Sequence, residues 1–374
     1  MSVFSRCAAG LLLLGATSAW AQDGDDIVIG ASLPLTGFNA AAGQEGLAVI
    51  RATFNSINRT GGINGRKLLL NALDDEFNPD KAAANATKLG DSRAVALLNC
   101  WGTSSCSAMM PVITKAGLPM VAGIAGGGPM RQNPGRFAFN VRPTTDAEIA
   151  RMVNQMLTVG QTGIALVYQN DPFGKSGQAA AKGVFAKATV VPLAELAIER
   201  DGSNAAAMVS ALQKLPALNG IIVIAAPPAT VKLIPALRQG GLSIQVYNLA
   251  AQATSKVAAD LGKHTAGVVF TTLVPSPWRD GVPVVREYQQ VMNAAGGTQE
   301  FSYLGLEIFI NTKVLLEAVR KAGRNVSREG LVSALETMGN RQFGPMNIGY
   351  GPGDREGSSY VGLTIIDRQG RFLE

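Results

Sequence analysis

Residues 94–128 read AVALLNCWGTSSCSAMMPVITKAGLPMVAGIAGGG. An apolar run that ends at Leu98 predicts a β-strand, the polar residues 102–105 predict a turn, and a helical pattern follows. The first turn of a helix has N–H groups without partners and a partial positive charge, so this turn predicts an anion site beside Thr103 and Ser104. The alternative is that one of these two hydroxyls simply caps the helix.

The rest of the chain continues this alternation of strand and helix. A second apolar run, at residues 118–122, ends in a glycine-rich loop, and further strand and helix patterns alternate from residue 163 to residue 272. Apolar strands that alternate with helices predict an α/β fold whose parallel sheets are covered by helices on both faces. The strands are too many for one small sheet, so residues 142–145 are a candidate crossing to a second sheet.

The C-terminal part has a different pattern. Residues 344–350 and 360–367 are β-runs, and Gly351-Pro352-Gly353-Asp354 lies between them. Two β-runs separated by a glycine-rich turn predict an antiparallel pair of strands.

The N-terminus has the pattern of a cleavable signal peptide over residues 1–21. Arg6 provides the positive charge, residues 7–17 the apolar run, and Ala19-Trp20-Ala21 the cleavage site, which places the mature start near Gln22. The apolar run is too short to span a membrane. The sequence therefore predicts an exported, soluble protein.

Length and composition predict two domains and exclude a nucleic-acid partner. The chain has 374 residues, of which 47% are hydrophobic, and can therefore bury large cores. Its net charge is +6, but the basic residues are scattered and are not interleaved with aromatic ones. A mildly basic surface is the simpler explanation.

Cys100 and Cys106 are the cysteines that remain after cleavage of the signal peptide. In an oxidising compartment they could pair and link the turn to the helix. The alternative is that the strand end and the first helical turn hold their Cα atoms too far apart. A metal site is not expected, because the single histidine, His264, is distant in sequence.

The sequence predicts a binding protein without catalytic residues or a cofactor. The glycines at 126–128 resemble part of a dinucleotide loop, but Pro129 and Pro134 interrupt the helix that such a loop requires. A serine, histidine and aspartate triad would have to use His264, and no nucleophile-elbow sequence is present. By contrast, Trp101, Phe173 and Tyr247 lie at or just after strand ends, where open α/β sheets bind ligands.

The order of motifs resembles a known family, the type I periplasmic solute-binding proteins of branched-chain amino-acid ABC transporters. The resemblance covers nearly the whole mature chain. It is carried by IVIGASLPLTG, GLAVIRATFNSINRTGGINGRKLLLNALDDEFNP, NCWGTSSCSAMMPVITKAGLPMVAG, FNVRPTTD, ALVYQNDPFGKSG and FGPMNIGYGPGD.

This resemblance implies two Rossmann-like α/β lobes joined by three crossovers, with the ligand between them. The first lobe is expected at residues 26–144 plus 275–342, and the second at 145–274 plus 343–374. Hinge closure around the ligand is expected. The implied protein is a periplasmic monomer that delivers a small solute to an inner-membrane permease with its ATPase. An alternative with the same fold is a ligand-sensing periplasmic receptor.

The resemblance also implies the ligand contacts. Thr103 matches the residue that binds the ligand carboxylate, Ile124-Ala125-Gly126 match the loop near the ammonium group, and Phe173 matches an aromatic residue of the second lobe. Gly126 lacks the hydroxyl of the family pattern, and Ala250 stands where an acidic residue is expected. A buried ammonium group without a partner costs several kcal/mol. The departures therefore favour an amine-free organic acid over an amino acid. The alternative is that Tyr247, Asn248 or Gln252 supplies a replacement acceptor for an ammonium group.

Overall fold

The computed structural model describes residues 26–127, 129–296 and 300–373. The predicted signal peptide lies outside the described residues. In the described part of the chain, no helix has both the length and the apolarity needed to cross a membrane.

The first sheet has five parallel strands in the order β2-β1-β3-β4-β5. Its core strand is β1, in which every residue is buried. The strands are β1 Ile27–Leu33, β2 Leu68–Asp74, β3 Ala96–Leu98, β4 Met120–Val121 and β5 Ala138–Phe139.

The second sheet has seven strands in the order β14-β13-β10-β9-β8-β6-β7. Strands β6 to β10 are parallel, and β13 and β14 join the edge beyond β10 as antiparallel strands. The strands are β6 Ile164–Gln169, β7 Ala194–Ile198, β8 Gly220–Ile224, β9 Gln245–Asn248, β10 Val268–Thr272, β13 Gly362–Ile366 and β14 Phe372–Leu373. A separate antiparallel pair is formed by β11 Arg341–Phe343 and β12 Met346–Ile348.

Helices cover both sheets. The helices of the first half of the chain are α1 Ala40–Arg59, α2 Pro79–Gly90, α3 Thr103–Ala116, α4 Pro129–Gln132, α5 Thr145–Thr158 and α6 Pro172–Lys187. Those of the second half are α7 Ala205–Leu212, α8 Pro227–Gln239, α9 Ser255–Leu261, α10 Pro283–Ala294, α11 Tyr303–Ala322 and α12 Arg328–Glu336. Helices α10 and α11 pack against α1, so they return the chain to the first sheet.

The chain therefore passes three times between two lobes, each built on one sheet. It leaves the first lobe after β5, returns after β10, and crosses again between α12 and β13. The predicted α/β fold with two lobes and three crossovers is confirmed. Parallel strands need long connections, and the helices between them provide these and bury both faces of each sheet.

The predicted antiparallel pairing of residues 344–350 with 360–367 is wrong. Strand β12 pairs with β11, and β13 pairs with β10 and β14. The segment between them runs beside the first crossover instead, where the Asn140 N–H donates to the Arg355 carbonyl (2.8 Å) and the Ser358 N–H to the Val141 carbonyl (3.0 Å). These tertiary hydrogen bonds separate the two strands.

Candidate functional site

Helix α3 begins with an uncapped first turn at the carboxyl end of β3. Gly102 occupies the N-cap position with φ 81° and ψ 149°, and it makes no side-chain cap hydrogen bond to the first turn. Thr103 is the first helical residue, so the hydroxyl-cap alternative is wrong for it and for Ser104. The first-turn N–H groups and the positive end of the helix dipole thus remain available to an anion.

Thr103 and Ser104 differ in accessibility. Thr103 is 9% exposed, and its hydroxyl forms no hydrogen bond with another described residue. Ser104 is exposed. Of the two side chains, Thr103 is therefore the one that can add a hydroxyl to the anion site from a largely buried position.

A disulfide holds this helix start against the strand end. Cys100 and Cys106 are joined with an Sγ–Sγ distance of 2.06 Å and a Cα–Cα distance of 5.4 Å. Both are fully buried. The alternative that the two Cα atoms are too far apart for a disulfide is therefore wrong, because one turn of α3 brings Cys106 back over Cys100. The disulfide restrains the turn that carries Thr103.

The loop after β4 lies directly beside this turn. The Ile124 N–H donates to the Cys100 carbonyl (2.8 Å), and the Gly102 N–H donates to the Ile124 carbonyl (3.1 Å). Ile124 and Ala125 are buried. The structure therefore brings the predicted segment 124–126 together with Thr103 at one edge of the first sheet.

Thr145 fills the space beside Gly126. The Thr145 N–H donates to the Gly126 carbonyl (2.8 Å), and a Cβ atom on Gly126 would lie 2.5 Å from Thr145 Oγ1. A serine or threonine at position 126 would clash there. The hydroxyl that the sequence lacks at Gly126 is thus provided next to it by Thr145, at the start of α5, and sequence reasoning missed this residue.

A buried charge cluster lies at the first crossover and involves residues of both lobes. Arg142 donates from Nε and Nη2 to the two carboxylate oxygens of Glu307, each at 2.8 Å. Glu148 accepts from the Ala250 N–H (2.8 Å) and from the Thr271 hydroxyl. Both glutamates are less than a tenth exposed. No signal in the sequence singled out these charged residues, because their partners are distant along the chain.

Burial raises the pKa of Glu148, and the nearby Arg142 only partly opposes this effect. The protonated, neutral form is favoured because desolvation penalises the charged form. Beside this cluster is a cavity of about 10 Å³. It is lined by Arg142, Ala250, Ala251, Leu273, Val274, Tyr303, Leu304 and Glu307.

The predicted aromatic residues have three different environments. Phe173 is half-buried in the first turn of α6, at the carboxyl end of β6. Trp101 is buried, and a Cβ atom on Gly46 would lie 3.0 Å from its ring, so it packs against α1. Tyr247 is not brought to the site. It is 2% exposed, and its hydroxyl lies near Gln245 Oε1 (2.8 Å) and Gln161 Oε1 (3.1 Å), toward the amino ends of the strands.

The two lobes contact each other at the carboxyl ends of their sheets. A Cβ atom on Gly127 of the first lobe would lie 2.8 Å from Ser176 Oγ in α6 of the second lobe. Phe77, which follows β2, also lies at this edge, and a Cβ atom on Gly102 would be 2.8 Å from its ring. The carboxyl ends of open parallel sheets are the usual ligand position. Within the described residues, no cluster of metal-ligating side chains is present.

Comparisons with known proteins agree with this architecture. A family model described as periplasmic binding protein matches residues 26–369. An amino acid binding protein from Pseudomonas aeruginosa is 26% identical over 320 residues, which cover 80% of each chain.

Two solved structures have similar folds. A possible leucine/isoleucine/valine-binding protein from Rhodopirellula baltica is 25% identical, with a TM-score of 0.88 and coverage of 95% of this chain and 98% of the other. An ABC-transporter solute binding protein from Rhodopseudomonas palustris, in complex with 3,4-dihydroxy benzoic acid, is 16% identical, with a TM-score of 0.78 and coverage of 92% and 93%. The second likeness concerns the fold alone.

Proposed function

Because this chain belongs to the periplasmic binding protein family, we propose that it is the solute-binding component of an ABC importer of the branched-chain amino-acid type. It captures a small carboxylate-bearing solute between its lobes by hinge closure. It then delivers the solute to an inner-membrane permease with its ATPase. The observation that carries this proposal is the uncapped start of α3, which lies at the interface between the lobes.

The carboxylate of the solute binds at the first turn of α3. Thr103, a largely buried residue, contributes a hydroxyl, and the first-turn N–H groups contribute donors that have no side-chain cap. Hydrogen bonds to a charged acceptor are stronger than neutral ones, and a desolvated cleft strengthens them further. A carboxylate is thus the group that this end of the cleft recognises.

We propose that the solute lacks an ammonium group. The methyl side chain of Ala250 cannot pair with an ammonium group. Glu148 Oε2 already accepts from the Ala250 N–H and the Thr271 hydroxyl. Both of these hydrogen bonds end on the same carboxylate oxygen, so this oxygen has little acceptor capacity left for an ammonium group. The nearby Thr145 hydroxyl suits a neutral polar group equally well. An aliphatic or aromatic organic acid satisfies these groups without an unpaired buried charge.

Two further proposals concern the whole protein. The chain is exported to the periplasm after cleavage near Gln22, and its lobes span residues 26–144 plus 275–342 and residues 145–274 plus 343–374. Mass spectrometry of the mature protein, recovered from a periplasmic fraction, tests the cleavage site. A mature chain that retains residues 1–21 contradicts the export proposal.

Calorimetric titration with matched pairs of ligands tests the solute class. Leucine and 4-methylpentanoate share one carbon skeleton and differ in the amine, as do phenylalanine and 3-phenylpropanoate. We expect the amine-free member to bind more tightly in each pair. Micromolar binding of leucine without binding of 4-methylpentanoate contradicts the proposed class, and no binding of any carboxylate contradicts the proposed function.

The same titrations on Thr103 variants test the carboxylate site. Thr103→Ala is expected to weaken binding by about 1–3 kcal/mol, because it removes a hydrogen bond to a charged group. Thr103→Ser keeps the hydroxyl and should retain most of the affinity. Equal affinities of wild type and Thr103→Ala show that the carboxylate binds elsewhere.

A further inference from the structure

Two aromatic rings of the first lobe and one arginine of the second lobe meet at the mouth of the cleft. Phe38 lies in the short helical turn Gly37–Asn39 after β1, and Phe77 follows β2. Arg200 follows β7 of the second lobe. Sequence reasoning missed all three residues, because Arg200 lies more than a hundred residues away from both rings along the chain.

The arginine rests on the rings. The guanidinium carbon of Arg200 is 4.3 Å from the centroid of the Phe38 ring and 5.5 Å from that of the Phe77 ring. The two rings are stacked, with centroids 5.9 Å apart and planes inclined by 24°. Both distances from the guanidinium are within the range of cation–π attraction, which is about 6 Å.

The position of Phe77 is fixed by its own lobe. Glu76 and Phe77 both have positive φ, at 52° and 57°, which is uncommon for residues with side chains. Their N–H groups donate to Asp74 Oδ1 and Asp75 Oδ1, each at 2.9 Å. Asp75 is fully buried and accepts from the Ser32 hydroxyl (2.8 Å). All of these hydrogen bonds lie within the first lobe, so they hold the Phe77 backbone without a contact from the second lobe.

The ring of Phe77 lies over the candidate anion site. The Phe77 ring stands 2.8 Å from where a Cβ atom on Gly102 would be, and Gly102 precedes the first turn of α3. Phe38 is 42% exposed even with Arg200 against it. The arginine therefore contacts the rings at the solvent side of the cleft, with the carboxylate site behind them.

We propose that Arg200, Phe38 and Phe77 form an interlobe latch that retains the bound solute. The contact exists only when the lobes are together, so its free energy stabilises the closed conformation and not the open one. The solute is released only when the lobes open, and the latch slows this opening. The role in solute retention rests on the proposed function, whereas the bias toward closure does not need a solute.

Spin-label distance measurements on the protein without solute test whether the latch favours the closed conformation. Lys88→Cys on α2 and Lys187→Cys on α6 provide exposed label sites in the two lobes. We expect Arg200→Ala to lower the ratio of closed to open molecules about two- to fivefold, the size of an exposed cation–π contact. Arg51→Ala, at an exposed site on α1, is the matched control.

Substitution of the ring separates cation–π attraction from simple packing. Phe38→Leu keeps an apolar side chain without an aromatic face, so it should lower the ratio as Arg200→Ala does. The double variant should be no more open than Arg200→Ala alone, because both changes remove one interaction. A ratio in Arg200→Ala equal to that in Arg51→Ala overturns the proposal, as does a wild-type population without closed molecules.

Stopped-flow release of 4-methylpentanoate tests solute retention. We expect the dissociation rate of Arg200→Ala to rise about two- to fivefold, while Arg200→Lys, which keeps the positive charge, recovers part of the loss. An unchanged dissociation rate overturns the role in retention. If no carboxylate binds, the proposed function fails, but the distance measurements still decide whether the latch exists.

Discussion

Gly102 is the residue on which the geometry of the candidate anion site depends. Its φ of 81° and ψ of 149° lie in a region that residues with a Cβ atom rarely adopt. A side chain there would also meet the Phe77 ring at 2.8 Å. Because the residue has no side chain, the first-turn N–H groups of α3 also stay uncapped.

We expect Gly102→Ala to lower the free energy of unfolding by about 1–3 kcal/mol, the cost of this backbone conformation for alanine. Gly183→Ala is the matched control, since Gly183 lies inside α6 and a methyl group there would contact nothing within 4 Å beyond its own helix backbone and chain neighbours. Alanine favours a helix interior, so this control should be stabilised by about 0.5–1 kcal/mol. Urea unfolding measures the stability of both variants. If Gly102→Ala is as stable as wild type, the strain argument is contradicted.

Glu148 makes stability depend on pH. Burial raises its pKa above the ordinary value of 4.5 in the folded protein. Its contribution to stability is therefore fully present below pH 4.5 and is lost as the pH rises through the folded pKa. Glu148→Gln removes this dependence, so the stability of the variant relative to wild type should increase as the pH rises.

Urea unfolding between about pH 4 and about pH 8 measures this difference. Glu45 and Asp75, whose pKa values burial also raises, are present in both proteins, so their contributions cancel. Glu300→Gln, a change at an exposed position, is the control. If the stability of Glu148→Gln and wild type changes in parallel with pH, Glu148 is not the titrating group.

At the scale of elements, β3 and α3 form one unit because a disulfide joins them. Cys100 lies just beyond the strand and Cys106 one turn into the helix. The loop between them contains Trp101, Gly102 and Thr103. A covalent link of this kind restrains the unfolded chain and holds the turn in the folded one.

Replacing both cysteines by alanine is expected to lower the free energy of unfolding by about 2 kcal/mol, at the low end for a disulfide because the closed loop is short. Alanine avoids the cost of a buried serine hydroxyl. Urea unfolding with and without reductant provides the internal control. Reductant should destabilise wild type and leave the double variant unchanged, and insensitivity of wild type contradicts the prediction.

At the scale of the whole molecule, the ion pair between Arg142 and Glu307 ties the first crossover to α11. The pair is bidentate and both side chains are buried, so the charges compensate each other in a poorly solvated place. Removal of one partner leaves the other charge uncompensated. The crossover positions the lobes, and the pair therefore stabilises the arrangement between them.

Arg142→Met is expected to lower the free energy of unfolding by about 3–5 kcal/mol, because Glu307 remains buried without its partner. Adding Glu307→Gln should recover much of this loss, since the residue at position 307 is then uncharged. Urea unfolding of wild type, both single variants and the double variant gives a double-mutant cycle for the pair. Additive losses contradict a direct interaction between the two side chains.

The sequence by itself determined the α/β fold, the two lobes and the strand, turn and helix that carry Thr103. These features depend on local periodicity and turn residues, which act over a few positions of the chain. The order of motifs then identified the family. The tertiary structure alone decided that the hydroxyl beside Gly126 comes from Thr145, that Tyr247 is directed away from the cleft, and that β12 and β13 pair with different strands.

Other residues were missed because sequence patterns are local, whereas the contacts of these residues join distant segments. Arg142 meets Glu307, and Arg200 meets Phe38 and Phe77, only because the crossovers bring distant segments together. The sequence around a charged or aromatic side chain in a loop has no periodic pattern that indicates which distant residue it contacts. Its role follows from which surfaces face each other once the two lobes are folded and in contact.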